Sequence, residues 1–106
     1  MTTLIKGSVE RFTITMEPYG ESSLKKCDWY LKIITSNTLT IEKSQAIYID
    51  DNTYDIIVDT NKTAAGDLSV LIYIDIIDNN NDKGVRRQVL MFDPSIRIIE
   101  EEVWNV

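Results

Sequence analysis

Hydrophobic and polar side chains alternate with a period of two along most of the chain, and short clusters of turn-forming residues separate the alternating runs. Phe12, Ile14 and Met16 share one face, Arg11, Thr13 and Thr15 take the other, and Pro18-Tyr19-Gly20 closes the run. From Cys27 to Thr35, Trp29, Leu31 and Ile33 point one way and Tyr30, Lys32 and Ile34 the other. Ser36-Asn37 is a two-residue turn candidate, after which Leu39 and Ile41 begin a short returning strand. Ala46 to Asp50 reads as a further short strand ended by Asp51-Asn52, and Tyr54 to Asp59 follows with Tyr54, Ile56 and Val58 on one face. One helical turn is expected over Asn61 to Ala65, before Gly66.

The longest run, Leu68 to Ile77, carries Leu68, Val70, Ile72, Ile74 and Ile76 on one face. Its other face holds Leu71, Tyr73 and Ile77, interrupted by Asp75, and a strand this apolar on both sides belongs in the middle of a sheet. Asp78 to Gly84 is a loop, and Val85 to Phe92 returns with Val89 and Met91 opposite Leu90 and Phe92. Asp93-Pro94 is expected to break that strand, leaving Ile96, Ile98 and Ile99 to form one last short strand. Seven or eight short strands without a long helix predict an all-β fold, an immunoglobulin-like β-sandwich, with an SH3-like or OB-type barrel as the rival. Ile and Thr dominate the strands, and both favour a pleated backbone. The expected organisation is a single domain over residues 1–106, with a short N-terminal arm at 1–5 and a C-terminal tail at 100–106.

Composition narrows the chemistry. With 43% hydrophobic and 26% charged residues the chain can bury a core. A net charge of -6 repels phosphate backbones. The basic pairs Lys25-Lys26 and Arg86-Arg87 are each split between two faces by strand alternation, so no nucleic-acid partner is expected. No apolar run approaches the span of a bilayer, and Met1 to Gly7 lacks the basic-then-apolar pattern of a secretory signal, so no membrane partner is expected either. Cys27 is the one cysteine, which rules out an internal disulfide. The chain has no histidine, and that removes histidine-based nucleophilic catalysis, histidine general bases and histidine metal sites together. An enzyme is not expected, and no cofactor is implied.

Each candidate site has a plain structural reading beside it. Asp78, Asn80 and Asp82 have the spacing of a calcium loop, but Lys83 and Val89 stand where an EF-hand needs Gly and Glu, so a solvated hairpin loop is the better reading. Asp50-Asp51 beside Asp55 is a carboxylate cluster that turn chemistry explains equally well. Cys27 opens an apolar strand with no residue to activate it and reads as a small buried hydrophobe. Trp29 shares its face with Leu31 and Ile33, so core packing takes precedence over sugar stacking. The termini are different. Val103, Trp104 and Val106 lie beyond the last strand, behind three glutamates, and Leu4 and Ile5 sit in the apolar N-terminal arm. These five are the candidate partner-binding residues, with closure of the domain's own core as the alternative role for Trp104. Short edge strands at Leu39 to Lys43 and Ala46 to Asp50 favour a homo-oligomer, and twofold symmetry makes it a dimer.

Tyr54 to Thr60, a short loop, and Gly66 to Val70 have the form of the E-to-F passage of an immunoglobulin-like domain. Asp78 to Gly84 followed by Val85 to Val89 has the form of an F-G hairpin, and Lys6 to Ile14, Leu24 and Cys27 to Leu31 keep the same overall order. Together these segments resemble the immunoglobulin-like virion accessory domains of Bacteroides-infecting tailed phages, including head fibres of crAss-like phages and baseplate-type adaptor domains. The resemblance implies a homo-oligomeric virion protein, assembled in the host cytoplasm and attached to capsid or other virion proteins, with no catalytic residues. The alternatives are an immunoglobulin-like carbohydrate- or protein-binding module and a baseplate or tail adaptor.

Overall fold

The structure, a computed structural model, describes residues 2–17 and 20–100. Among them are the strands β1 (Thr2–Ile5), β2 (Val9–Thr15), β3 (Trp29–Ile34), β4 (Thr38–Glu42), β5 (Ile47–Asp50), β6 (Thr53–Asp59), β7 (Gly66–Ile77) and β8 (Val85–Ile99). They form two sheets, a five-stranded one in the order β1-β8-β7-β3-β4 and a three-stranded one in the order β2-β6-β5. The two sheets make an open, partly curled half-barrel.

Strand alternation places the core between the sheets. Trp29, Leu31 and Ile33 of β3 face Tyr54, Ile56 and Val58 of β6, and all six are buried. The segment between β2 and β3 closes one end of the core with the buried side chains of Leu24 and Cys27. Trp29 ties that plug to the sheet by donating its Nε1–H to the Leu24 carbonyl at 2.9 Å. The Trp29 ring also meets Tyr54 edge-on, with centroids 5.2 Å apart. At the other end Thr60 staples the β1–β2 turn to β6. Its hydroxyl donates to the Ser8 carbonyl at 2.7 Å and accepts from the Gly7 N–H at 2.9 Å. Gly7 adopts φ 111° there, a conformation that favours glycine.

Three local expectations change. The segment Thr2–Ile5, expected as an arm, is an edge strand running parallel to the end of β8 in register Thr2 with Ile96 through Ile5 with Ile99. Asp93-Pro94, expected to end a strand, instead sits inside β8. The pairing with β7 jumps from Phe92 opposite Val70 to Ile96 opposite Leu68, so a bulge takes up the extra residues, with Ser95 at φ 56°. Proline is tolerated at such a bulge because no ladder hydrogen bond is asked of it. The expected helical turn lies at Thr60–Lys62, earlier than Asn61 to Ala65, because the Asp59 side chain accepts from the Asn61 N–H and starts the turn there, and a second such turn, not expected, spans Lys43–Gln45. The seven-or-eight-strand count agrees with the structure, and β7 is interior to its sheet, paired on both sides.

Candidate functional site

The two sheets do not meet along one side. β2 is an edge of the small sheet, and its one strand neighbour among the described residues is β6. Across the gap stands β8, which contacts β1 only from Ile96 to Ile99. Over Val85–Phe92, β7 is the one strand paired with β8 among the described residues. This seam holds an apolar cleft of about 320 Å³, with Phe12 and Ile14 of β2 on one wall, Val70 and Ile72 of β7 as its floor and Phe92 of β8 on the other wall. A neighbouring cleft of about 420 Å³ shares Ile14, Ile72 and Phe92 and continues toward Leu90, Gln88 and Arg86.

Exposure follows from this gap. Leu68, Ile74 and Ile76 of β7 are buried, whereas Val70 and Ile72 on the same face are only partly covered. On β8, Leu90 is 40% and Phe92 49% exposed on the inner face, and Val89 is 48% and Met91 70% exposed on the outer face. Four consecutive large apolar residues thus stand in solvent on one strand. Single exposed apolar residues need no explanation, but a contiguous group marks a contact surface.

The charges beside this strand are already neutralised within the chain. Arg87 Nε lies 3.0 Å from Asp75 and Arg86 Nε 3.4 Å from Asp78. Behind them, on the outer face, Tyr30 and Tyr73 stack with centroids 4.7 Å apart, with the Arg87 guanidinium over the Tyr30 ring, 5.8 Å from its centroid, and the Lys32 ammonium over the Tyr73 ring, 5.1 Å from its centroid. This stack borders a polar cleft near Asp28, Glu42 and Asp75. A sugar stacking on these rings would compete with the cations set over them.

The other sequence candidates take their places as follows. In the Asp78 to Gly84 loop, Asp78 Oδ1 accepts from the Asn80 N–H and Asn81 Oδ1 from the Lys83 N–H, so turn chemistry uses these groups. Among the described residues no group of three or more acidic, cysteine or histidine side chains is gathered as for a metal ion. The carboxylates of Asp51 and Asp55 are separated by the fold. Asp51 accepts from the Tyr48 hydroxyl at 2.6 Å in a turn, and this bond holds its carboxyl below the usual range. Asp55, beside Thr13 on the outer face of the β2–β6 pair, is buried and accepts from the Thr13 hydroxyl at 2.7 Å and from Arg11 Nε. Those two bonds, Thr13 first, hold its carboxyl below the ordinary carboxylate value. Cys27 is a buried free thiol. Of the five partner candidates, Leu4 is partly buried against the core and Ile5 is 53% exposed on β1. Val103, Trp104 and Val106 lie outside the described residues.

Sequence reasoning missed the exposed stretch of β8. Its alternation is indistinguishable from that of a buried strand, and only the absence of an opposing layer sets it apart. No protein-family model matches the chain, and searches of curated proteins and of solved structures return no match.

Proposed function

We propose that the chain is a non-enzymatic assembly subunit with an immunoglobulin-like sandwich fold left open along one side, and that it serves in a tailed-phage virion as a capsid-attached head fibre or decoration protein. The strand order supports the fold reading. With β2, β6 and β5 taken as strands B, E and D, and β8, β7, β3 and β4 as G, F, C and C′, the two sheets follow immunoglobulin-like order. Trp29, buried on β3, occupies the place of the core tryptophan on strand C, while the inter-sheet disulfide is replaced by hydrophobic packing.

The observation that carries the assembly reading is the run Val89 to Phe92, apolar on both faces and 40–70% exposed beside an unclosed seam. The virion assignment rests on the sequence resemblance set out above. Peptide mass spectrometry of purified virions from the host that carries the gene tests it. Recovery of the chain alongside the capsid proteins is the expected result, and its absence from purified particles would refute the assignment. The carbohydrate-module alternative is disfavoured by the cations set over Tyr30 and Tyr73.

A further inference from the structure

We infer that a second copy of this chain covers the exposed stretch of β8, through antiparallel pairing of the two β8 edges about a twofold axis at Leu90. The inference rests on the self-assembling reading proposed above and names the surface that performs it.

The free backbone groups come first. The Asp78 N–H donates to the Gly84 carbonyl at 2.9 Å, and the β7–β8 register continues from that pair as Ile77 with Val85 and Ile76 with Arg86. Antiparallel alternation therefore aims the backbone of Arg86, Gln88, Leu90 and Phe92 at β7, and that of Val85, Arg87, Val89 and Met91 away from it. The outward set forms the longest free edge among the described strands. β2, the edge of the small sheet, is seven residues long against the eight of Val85–Phe92, β1, β4 and β5 are four or five, and the pairing of β5 with β6 shifts register between Tyr48 and Asp50. Natural sheets protect long edges with charge, proline or bulges, and here the bulge at Asp93-Pro94 arrives only after the apolar run.

Side-chain complementarity then selects the register. Centring the twofold axis on Arg87 sets two guanidinium groups opposite each other, and centring it on Gln88 sets Arg87 opposite the partner's Val89. Centring it on Leu90 sets Val89 opposite the partner's Met91 and sets Arg87, whose Nε is held by Asp75, opposite the partner's Asp93, each pair occurring twice. Cross-strand apolar and opposite-charge pairs stabilise a sheet, and like charges do the reverse. Inner-face residues of the added strand project to the same side as Leu90 and Phe92 do. The partner's Leu90 and Phe92 thereby extend the roof over the apolar cleft, so one occupant accounts for both the free edge and the open seam. The two five-stranded sheets become one continuous sheet across the axis.

Cysteine cross-linking of the full chain tests the register. Leu90 faces its own copy across the axis as a non-hydrogen-bonded pair, with Cα atoms about 4.5 Å apart, inside the range for a disulfide. Leu90→Cys is expected to oxidise to a covalent dimer and Gln88→Cys to remain uncrosslinked, with Cys27 buried and silent in both. In sedimentation, Val89→Lys and Met91→Lys should each move the native chain from dimer to monomer mass with an unchanged circular dichroism spectrum. Met91 is 70% exposed, so its replacement does not threaten the fold. A native chain that is monomeric at every concentration overturns the inference. So does a dimer that persists in both lysine variants, and one lost only on Trp104→Ala assigns the contact to the C-terminal tail instead. Cross-linking through Gln88→Cys in place of Leu90→Cys overturns the register. A chain present in virions but failing these tests loses the β8 pairing and keeps the virion reading; one that cross-links as expected but is missing from virions does the opposite.

Discussion

The inner faces of β3 and β8 are written in the same alternating code and end in opposite environments. Trp29, Leu31 and Ile33 on β3 are at most 4% exposed, whereas Leu90 and Phe92 on β8 are at least 40% exposed. β3 lies between β7 and β4 and faces β6 across the core, but the middle of β8 looks across a gap toward β2. Period-two patterning decides which residues share a face. Whether that face is buried or left in solvent is decided by the layer opposite, and the two strands of this molecule separate those two decisions.

The sharpest way to break the comparison is Trp29→Ala. It removes the largest buried side chain of β3, its edge-on contact with Tyr54 and its bond to the Leu24 carbonyl. Urea denaturation should show a loss of about 3–5 kcal/mol. A matched pair comes next. Leu31→Ala should cost about 2–5 kcal/mol because Leu31 is fully buried. Leu90→Ala, made in the Val89→Lys background where the proposed dimer is absent, should cost only about 1 kcal/mol, since 40% of Leu90 stays in water in the folded chain. Equal losses at the two positions would erase the distinction between core and seam.

A smaller effect concerns the outer face of β2 and β6. The folded state holds Asp55 below its ordinary carboxylate value through Thr13 and Arg11. A carboxylate lowered in this way contributes stability that is fully present above the unfolded value, about 3.9, and is lost as pH falls through the lower folded value. Asp55→Asn should therefore be less stable than the native chain at neutral pH, with the gap narrowing below about pH 4. Urea midpoints collected across that range give the comparison, and a gap independent of pH would mean that the carboxylate charge is not the stabilising feature. Last, calcium should change nothing. In the loop from Asp78 to Gly84, Asp78 already accepts from the Asn80 N–H and pairs with Arg86, and Asn81 accepts from the Lys83 N–H. Melting temperatures in millimolar calcium and in chelator should coincide, because only a ligand that binds the folded state raises apparent stability.

How much of this could be read from residues alone differs by segment. The core faces of β3 and β6 were legible, because their alternation is long and their flanking turns are marked by Ser36-Asn37 and Asp51-Asn52. β1 was not legible as a strand of the domain, since its partner segment Ile96 to Ile99 lies at the other end of the chain and four residues carry little periodic signal. Asp93-Pro94 reads as a strand end because proline removes a donor, an argument with no force where a bulge leaves that donor unneeded. The carboxylates near residue 50 form one cluster in sequence, but strand pairing sets Asp55 beside Thr13 of β2 while Asp51 stays in its turn. The open seam had no local signature, because a missing opposing strand leaves no mark on the strand that lacks it.

The parallel pairing of β1 with the end of β8 has a mechanical consequence. Thr2 lies beside Ile96 and Ile5 beside Ile99, so the first and last strands run side by side in the same direction. Tension applied through the two ends of the chain pulls these strands in opposite senses along their length. The ladder from Thr2 to Ile5, together with the bond from the Lys6 N–H to the Ile99 carbonyl at 2.8 Å, then bears the load simultaneously, in shear. Peeling a strand from its end would break the same bonds one at a time under a smaller force. Forced unfolding is governed by the rate of the first rupture, so this short ladder acts as the clamp that sets how hard the chain can be pulled before the core feels the strain.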